Sequence, residues 1–352
     1  MKVGRKTPHD SALVDLLSLA ECVERFEGKR VVVLGDFVAD SFQSGDITRV
    51  SREAPVLILR HRQTELIPGG GANAANNFAA LGARVVPISI VGDDAPGESL
   101  IDYFRHKRVD VSGILRVKGR TTPTKTRFLA GWTHTVAQQV LRVDYEPAAP
   151  PADSDLRKIQ SIAKTKIKSA DALAISDYGF GVVTPGSLRG VTAGLKRDIP
   201  VSLDSRYQLP AYRRAGITNA TPNEAELEAL HHTSIGRDKV ALEKCGRATL
   251  KQMQLGSLVV TRGKDGMALF EPDRSTVHIP VHGSNQAVDV TGAGDTVLAA
   301  YTLALASGAS ALEAAHIANI AGGLVVMKRG TATVSRDELL SAIRAVASET
   351  TS

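Results

Sequence analysis

The segment AVDVTGAGDTVLAA at 287–300 places two aspartates around a turn of small residues, directly before an apolar run. Gly292, Ala293 and Gly294 let bare backbone approach a bound group closely. The unpaired N–H groups at a helix start attract anions, so a helix beginning near Gly292 would direct them at a developing negative charge. Asp295 would then lie within reach of a nucleophile as a general base. The alternative is that Asp295 only complements the helix dipole and that the glycines form a turn.

A second glycine-rich segment, PGGGANAANNFAALG at 68–82, leads into a predicted helix. Close backbone approach is expected at Gly70 and Gly71, and the amides of Asn73 and Asn77 could bind hydroxyl groups. The alternative is a glycine turn before a helix with polar residues at regular spacing. The glycine spacing is not that of a dinucleotide-binding fingerprint, and the sequence contains no GxxxxGK[ST] phosphate loop.

The segment NATPNEAELEAL at 219–230 combines an amide and a carboxylate on one helix face, because Asn223 and Glu226 are three residues apart. These oxygens could hold the water shell of a magnesium ion, a hard cation that prefers oxygen ligands. The same two side chains could instead form a capping box at the helix start. The spacing alone does not separate the two interpretations.

Short runs rich in Val, Ile and Leu alternate with helical segments along the chain, which indicates a mainly parallel sheet covered on both faces. The predicted strands are 30–36, 84–92, 171–177, 200–204 and 256–263. Such sheets bind ligands at the carboxyl ends of their strands. The polar residues at those ends are Asp36, Asp177, Asp204, Thr261 and Arg262. The turn VVTRGKDG at 259–266, with Gly263 and Gly266, would pass beneath a nucleotide or form an ordinary hairpin loop.

Two regions break the alternation and predict paired strands, 43–62 and 122–144. We expect them to form a small β-sheet lid beside the main domain. Helices are predicted at about 293–307, 311–328 and 335–347. The expected organisation is a helical extension at 1–29, one α/β domain over 30–347 and a frayed tail at 348–352.

Composition narrows the classes of partner. Lys and Arg number 43 against 37 Asp and Glu, but the basic residues are scattered and aromatic residues make up only 4%, which favours anionic metabolites over nucleic acid. Cys22 and Cys245 lie far apart without metal-ligand spacing, so we expect neither a disulfide framework nor a zinc site, and a cytoplasmic location. No run of 18 apolar residues predicts a membrane span.

In this order, the segments are similar to those of the ribokinase-type carbohydrate kinases, also called the phosphofructokinase B-type family. The matching segments are Gly35-Asp36, GGGANAANNFAALG, TPNEAE, VVTRGKDG and DVTGAGD, spread over about 30–345. The resemblance implies a ribokinase-like α/β fold, with a mainly parallel central sheet, helices on both faces and a small β-sheet lid. It also implies transfer of the γ-phosphoryl group of ATP to a sugar hydroxyl, with Mg²⁺ and, as a further candidate, K⁺.

Within this family, GDFVADSFQSGDITRVSREAPV, TPTKTRFLA, LRVDYE and ISDYGFG resemble the branch that phosphorylates the anomeric hydroxyl of D-glycero-β-D-manno-heptose 7-phosphate in ADP-heptose biosynthesis. One departure is DSRY at 204–207, where that branch usually carries DPKG, so that Arg206 would replace a lysine as phosphate contact. The alternatives are a family kinase for fructose, ribose, a 2-keto-3-deoxy acid or a nucleoside, and a non-catalytic sensor on the same fold. Some such kinases are fused to an adenylyltransferase, and we expect that step to need a separate protein.

The resemblance also implies roles for individual residues, beginning with Asp295 as the base and 292–294 as the anion hole. The sugar and its phosphate would be bound by Asp36, Asp40, Gly70, Gly71, Asn73, Lys125, Arg127, Asp204 and Arg206. ATP would be bound by Asn223, Glu226, Thr261, Gly263, Gly266 and Asn319. Magnesium would be held through water near Glu226, while Asp289 would orient its loop or help a monovalent-cation site. The lid would exclude water, and two lids would pair in a homodimer.

Overall fold

The computed structural model describes residues 15–132, 137–195, 198–206, 208–283 and 287–350, with side chains up to Ser348. The helices in these residues are α1 Leu16–Glu24, α2 Gly71–Ala80, α3 Ala95–His106, α4 Asp153–Lys166, α5 Pro185–Thr192, α6 Glu224–His231, α7 Lys239–Met253, α8 Ala293–Ala306, α9 Ala311–Val325 and α10 Arg336–Thr350. The strands are β1 Arg30–Gly35, β2 Phe37–Val50, β3 Leu57–Gly70, β4 Arg84–Gly92, β5 Ile114–Val117, β6 Thr124–Gly131, β7 Gln138–Tyr145, β8 Ala172–Asp177, β9 Val201–Ser205, β10 Asn219–Ala220, β11 Ser257–Thr261, β12 Met267–Phe270 and β13 Val277–Ile279.

The central sheet has nine described strands in the order β13-β12-β11-β10-β9-β8-β1-β4-β5. All pairs from β11 to β5 are parallel, and β12 and β13 extend the sheet antiparallel. Strand β1 shows why both faces are covered, since Val31 and Val33 pack into one hydrophobic core and Val32 and Leu34 into the other. The predicted fold class, a mainly parallel sheet between helices, is confirmed.

The lid is a separate sheet of four described strands in the order β3-β2-β6-β7. Strand β2 pairs antiparallel with β3 and parallel with β6, and β6 pairs antiparallel with β7. The predicted segments 43–62 and 122–144 overlap these four strands, and residues 51–56 connect β2 to β3. Residues 133–136 fall outside the described residues. The lid begins closer to the core than predicted: β2 starts at Phe37, just after β1, and β3 ends at Gly70, just before α2. Its base therefore lies at the carboxyl edge of the central sheet.

Both ends of the described chain pack on the same side of the central sheet. Helix α1 contacts α9 and α10, and its Leu19 and Val23 are fully buried. The predicted helical extension at 1–29 includes residues 1–14, which lie outside the described residues, and α10 continues to Thr350, inside the predicted tail at 348–352. These domain boundaries stay predictions. No helix among the described residues combines the length and apolar character that a membrane crossing requires.

Candidate active site

The start of helix α8 borders a cavity of about 600 Å³, which we call the polar cavity because nine charged side chains line it. Gly292 caps the helix with a φ of +77°, and a Cβ at this position would lie 2.5 Å from Asn73 Nδ2. Only glycine fits there, so the helix begins at Ala293 with Gly292 and Gly294 facing the cavity. The Ala293 N–H donates to Val290 O at 3.3 Å, so one of the three amides of the predicted anion hole is directed into the loop.

Asp295 is the buried carboxylate of this helix start, with 2% of its surface exposed. Its Oδ2 accepts a hydrogen bond of 2.7 Å from Asn73 Nδ2, and Tyr178 Oη lies 3.3 Å from its Oδ1. Burial raises the pKa of Asp295 to about 7, although both hydrogen bonds lower it, and the nearby Asp40 charge adds to the increase. A carboxylate that titrates near neutrality beside a cavity is suited to general-base chemistry.

The glycine-rich start of α2 packs against the start of α8. Gly70 has a φ of +54°, and the Gly71 N–H donates to Asp36 O at 2.9 Å, which places the two segments in close contact. Asn77 Oδ1 accepts from Thr296 Oγ1 at 2.7 Å, and Asn73 holds Asp295.

Both asparagines are fully buried, one helical turn apart on the face toward α8. Both side chains hydrogen-bond within the protein and join α2 to α8. Their binding of hydroxyl groups stays a prediction.

Asp36, at the end of β1, does not line the polar cavity either. Its carboxylate accepts backbone N–H groups from Tyr178 and Phe180 at 3.0 Å and from Val182 at 2.9 Å, and its side chain is fully buried. Burial raises its pKa to about 6 despite these three hydrogen bonds. The described hydrogen bonds of the Asp36 carboxylate hold the loop after β8. The role of Asp36 as a direct sugar ligand stays a prediction.

The lid contributes one carboxylate and two cations to the polar cavity. Asp40 of β2 pairs with Arg127 of β6 at 2.5 Å and accepts a hydrogen bond from Thr331 Oγ1 at 3.2 Å. Lys125 Nζ lies 3.6 Å from an Asp144 oxygen. This contact is longer than the Arg127–Asp40 pair and holds the lysine less firmly. Lys125, Arg127 and Asp40 all line the cavity, and Gly70 lies beside them.

The opposite wall carries Asp204 and Arg206 from the end of β9, and Asn223 and Glu226 from the start of α6. The capping alternative is realised, since Glu226 N donates to Asn223 Oδ1 at 2.8 Å and Asn223 N donates to Glu226 Oε2 at 2.9 Å. Both side chains nevertheless line the cavity. Burial raises the pKa of Asp204 well above its ordinary value, with further increases from the charges of Glu226 and Asp295.

Oxygen donors dominate this wall, which fits a magnesium ion held mostly through water. Among the described residues, no group of three or more His, Cys, Asp or Glu side chains is placed to hold a metal ion directly. Asn223 and Glu226 are the side chains of this wall that could hold the water shell of a magnesium ion.

A smaller cavity of about 220 Å³, the apolar slot, adjoins the polar cavity at the start of α8. It is lined mainly by valines and small residues, including Val281, Val290, Val297, Val326, Gly322 and Gly323. Thr261, Gly263, Gly266 and Asn319, which the family resemblance assigns to ATP, all border it. The turn at 263–265 also joins antiparallel strands β11 and β12, so it forms a hairpin loop and a slot wall at once.

Asp289 organises the loop that precedes α8. Its Oδ1 accepts from Thr291 N and its Oδ2 from Gly330 N, both at 2.9 Å. Burial alone would raise the pKa of Asp289, but these hydrogen bonds hold it below its ordinary value. Its described contacts are those of a residue that orients the loop.

The cavity residues that were not singled out from the sequence include Tyr178, Thr331 and Arg142. Tyr178 lies in the segment ISDYGFG, directly after a strand end, so its position offered a signal. Thr331 and Arg142 carry no local motif. A further cavity of about 430 Å³, the side cavity, opens beyond Tyr178 and is lined by Lys125, Glu146–Pro150, Tyr178–Gly181, Arg206 and Gln208.

Comparison with known sequences identifies the family of this chain. The family model described as "pfkB family carbohydrate kinase" matches residues 29–338. The Bifunctional protein HldE of Geobacter metallireducens is 41% identical over 314 residues, which are 89% of this chain and 62% of that protein. The protein of the same name from Mesorhizobium japonicum is 36% identical over 327 residues, 92% of this chain and 64% of that protein. The chain thus spans somewhat less than two thirds of the length of these relatives.

Solved structures share the fold at lower sequence identity. Phosphofructokinase-2 from Escherichia coli in complex with substrates and products has a TM-score of 0.72 at 22% identity, covering 91% of this chain and 99% of that one. Arabidopsis thaliana ribokinase complexed with ribose and ATP has a TM-score of 0.68 at 21% identity, covering 90% and 99%. The predicted family is confirmed by the family match and the curated relatives: the chain belongs to the pfkB family of carbohydrate kinases.

Proposed function

We propose that the chain transfers the γ-phosphoryl group of ATP to the anomeric hydroxyl of D-glycero-β-D-manno-heptose 7-phosphate, giving the 1,7-bisphosphate and ADP. The observation that carries the kinase chemistry is the position of Asp295, buried at the start of α8 where the apolar slot meets the polar cavity. The heptose acceptor is supported by the lid and strand-end segments that resemble that branch, and by 36–41% identity with proteins named HldE.

In this proposal Asp295 accepts the proton of the acceptor hydroxyl as the oxygen attacks the γ-phosphorus. The new O–P bond forms while the bond to the β-phosphate oxygen breaks, and ADP leaves with that electron pair. The Gly292 and Gly294 amides and the α8 dipole stabilise charge on the transferred group. Magnesium, when bound, would neutralise the ATP phosphates. Asn223 and Glu226 would hold its water.

The contacts of the cations suggest where the substrate phosphate binds. Arg127 already pairs with Asp40 at 2.5 Å, so we assign it to holding Asp40 for the sugar hydroxyls. Lys125 and Arg206 border both the polar cavity and the side cavity. We therefore place the 7-phosphate between Lys125 and Arg206, where Arg206 can contact it through two N–H groups.

We also propose that the lid pairs with a second copy to form a homodimer. Several apolar side chains of the lid are exposed: Val50, Val56, Leu57, Trp132, Val140 and Leu141. An exposed sheet with such side chains is a site for association. Light scattering at micromolar concentration should show a dimer, and Val140→Lys combined with Leu141→Lys should shift it toward the monomer. A wild-type monomer at that concentration would contradict this arrangement.

Two cofactor proposals accompany the reaction. Activity should require Mg²⁺ and be lost with a chelator, and comparison of potassium with sodium chloride would test a K⁺ requirement near Asp289. We further propose that the bisphosphate product supplies a separate adenylyl-transfer step, in line with the bifunctional name of the relatives.

The function is tested by an ADP-release assay with heptose 7-phosphate, fructose 6-phosphate, fructose, ribose, 2-keto-3-deoxygluconate and adenosine as acceptors. We expect the highest kcat/KM with heptose 7-phosphate and little ADP release without a sugar. Preference for another acceptor would overturn the heptose assignment but leave the kinase assignment. No sugar-dependent ADP release from any acceptor would favour a non-catalytic sensor.

A further inference from the structure

We propose that Tyr178 is a positioning residue for Asp295, and that Asp36 acts on the reaction through the Tyr178 loop. The proposal rests on the proposed function, in which Asp295 accepts the proton. It gives a role to the Gly35-Asp36 segment, whose aspartate does not reach the polar cavity.

Asp295 is held from two sides. Tyr178 Oη lies 3.3 Å from Oδ1 and 3.5 Å from Oδ2, while Asn73 Nδ2 donates to Oδ2 at 2.7 Å. The two donors come from different elements, the loop after β8 and helix α2. A carboxylate fixed at both oxygens keeps its plane, which a base needs if it is to accept a proton at one defined point.

The loop that carries Tyr178 is itself fixed by two buried aspartates. Asp36 accepts the N–H groups of Tyr178, Phe180 and Val182 at 2.9–3.0 Å. Asp177 accepts the Gly179 N–H at 3.0 Å and the hydroxyls of Ser205 and Tyr212 at 2.8 Å. Asp36 therefore sets the path of the backbone that points the phenol toward Asp295.

A phenol suits this position because it donates a hydrogen bond without a positive charge. The groups that face Asp295 are Asn73 from α2, Tyr178, Asp40 from β2 and, through its charge, Asp204 from β9. Burial and these carboxylates raise the pKa of Tyr178 well above its ordinary value, so the phenol stays protonated. An arginine here would hold Asp295 as a weak base, whereas the neutral O–H orients it and lowers its pKa only partly.

The test is Tyr178→Phe, which removes the hydroxyl and keeps the ring. We expect kcat to fall about tenfold, with the KM for ATP unchanged, because a hydrogen bond to the reacting carboxylate is lost. Loss of that donor also raises the pKa of Asp295, so the acid limb of the kcat/KM profile should move up by about one pH unit. A side chain needed only for folding would not move this limb.

Tyr103→Phe is the matched control, because Tyr103 Oη also donates a 3.3 Å hydrogen bond, to Asn76 Oδ1, and does not line either cavity. It should leave kcat and the pH profile unchanged. Asp36→Asn should lower kcat and move the acid limb in the same direction as Tyr178→Phe, with folding checked by circular dichroism.

A Tyr178→Phe enzyme with wild-type kcat and an unmoved acid limb would overturn the proposal. If Asp295→Asn were inactive in the same experiment, the proposed function would stand without it. Retained turnover in Asp295→Asn would instead contradict the assignment of the base, and with it the role of Tyr178.

Discussion

The apolar slot and the polar cavity meet at the same helix end, but they are built differently. The slot is formed by small and branched residues from two stretches, 261–297 and 319–326. The polar cavity takes its charged side chains from the lid, the ends of β8 and β9, the start of α6 and the start of α8. The apolar wall of the slot comes from two stretches of the chain. The charged side chains of the polar cavity come from several separate elements, each of which positions its own charged residues.

The two regions also differ in their electrostatics. The polar cavity is lined by five carboxylates, Asp40, Asp177, Asp204, Glu226 and Asp295, and by four cations, Lys125, Arg127, Arg142 and Arg206. Burial raises the pKa values of Asp295, Asp204 and Glu226, so ionised carboxylates there oppose folding. No carboxylate is among the described residues that line the slot. Changes to residues that line only one region should therefore leave the function of the other largely intact.

The largest expected effect is the loss of chemistry in the polar cavity without loss of the slot. Asp295→Asn keeps the shape and the hydrogen-bond reach of the side chain but removes the base. We expect turnover to fall by at least ~10²-fold while ATP binding, measured by calorimetry, is retained. Asp46→Asn, at a partly exposed lid carboxylate paired with Arg62, is the control. Turnover within a few-fold of wild type would show that Asp295 is not the base.

A smaller effect should separate acceptor binding from ATP binding. Arg206→Ala removes the proposed charge-assisted contact with the substrate phosphate, so the KM for the phosphosugar should rise about ten- to a hundredfold. The KM for ATP should change little, and Arg62→Ala at the lid surface should change neither. Equal efficiency of the wild type with phosphorylated and unphosphorylated sugars would remove the basis for this assignment.

The slot can be altered alone through Gly323 in α9. A Cβ there would collide with the backbone oxygen of His282, so α9 and the 281–283 segment must separate. Gly323→Ala should raise the KM for ATP by about five- to tenfold and leave the KM for the sugar unchanged. Gly256→Ala, where a Cβ makes only ordinary contact, is the control. A change in the sugar KM alone would contradict the division between the two regions.

The smallest effect concerns stability. The folded pKa of Asp295 is about 7, against an ordinary value of 3.8, so the folded state binds this proton more tightly than the unfolded state. Stability is therefore lost as the pH rises from about 4 to about 7, and the full cost is present above pH 7. Asp295→Asn removes the ionisable group and with it this pH-dependent loss of stability. Its Tm should exceed that of the wild type by about 2–4 °C at pH 8.5, with a smaller difference at pH 5, by differential scanning calorimetry. A Tm difference independent of pH would contradict the raised pKa.

The sequence by itself determined the α/β class, the separate lid and the start of α8. Alternating apolar runs specify strands buried on both faces, and Gly292 specifies the left-handed cap that starts the helix. Glycine-rich segments and strand ends also indicated many of the residues that line the two cavities. These signals are local, because backbone conformation and side-chain alternation depend on near neighbours in the chain.

Only the tertiary structure decided which polar groups reach the polar cavity. The pairing of β1 with β8 turns Asp36 toward three loop amides, and the packing of α2 on α8 directs Asn73 at Asp295, contacts that the sequence did not predict. Thr331, Arg142 and Tyr178 reach the cavity from distant parts of the chain, 117 residues away from Asp295 in the case of Tyr178. Such contacts depend on how whole elements pack, so a short stretch of sequence does not specify them.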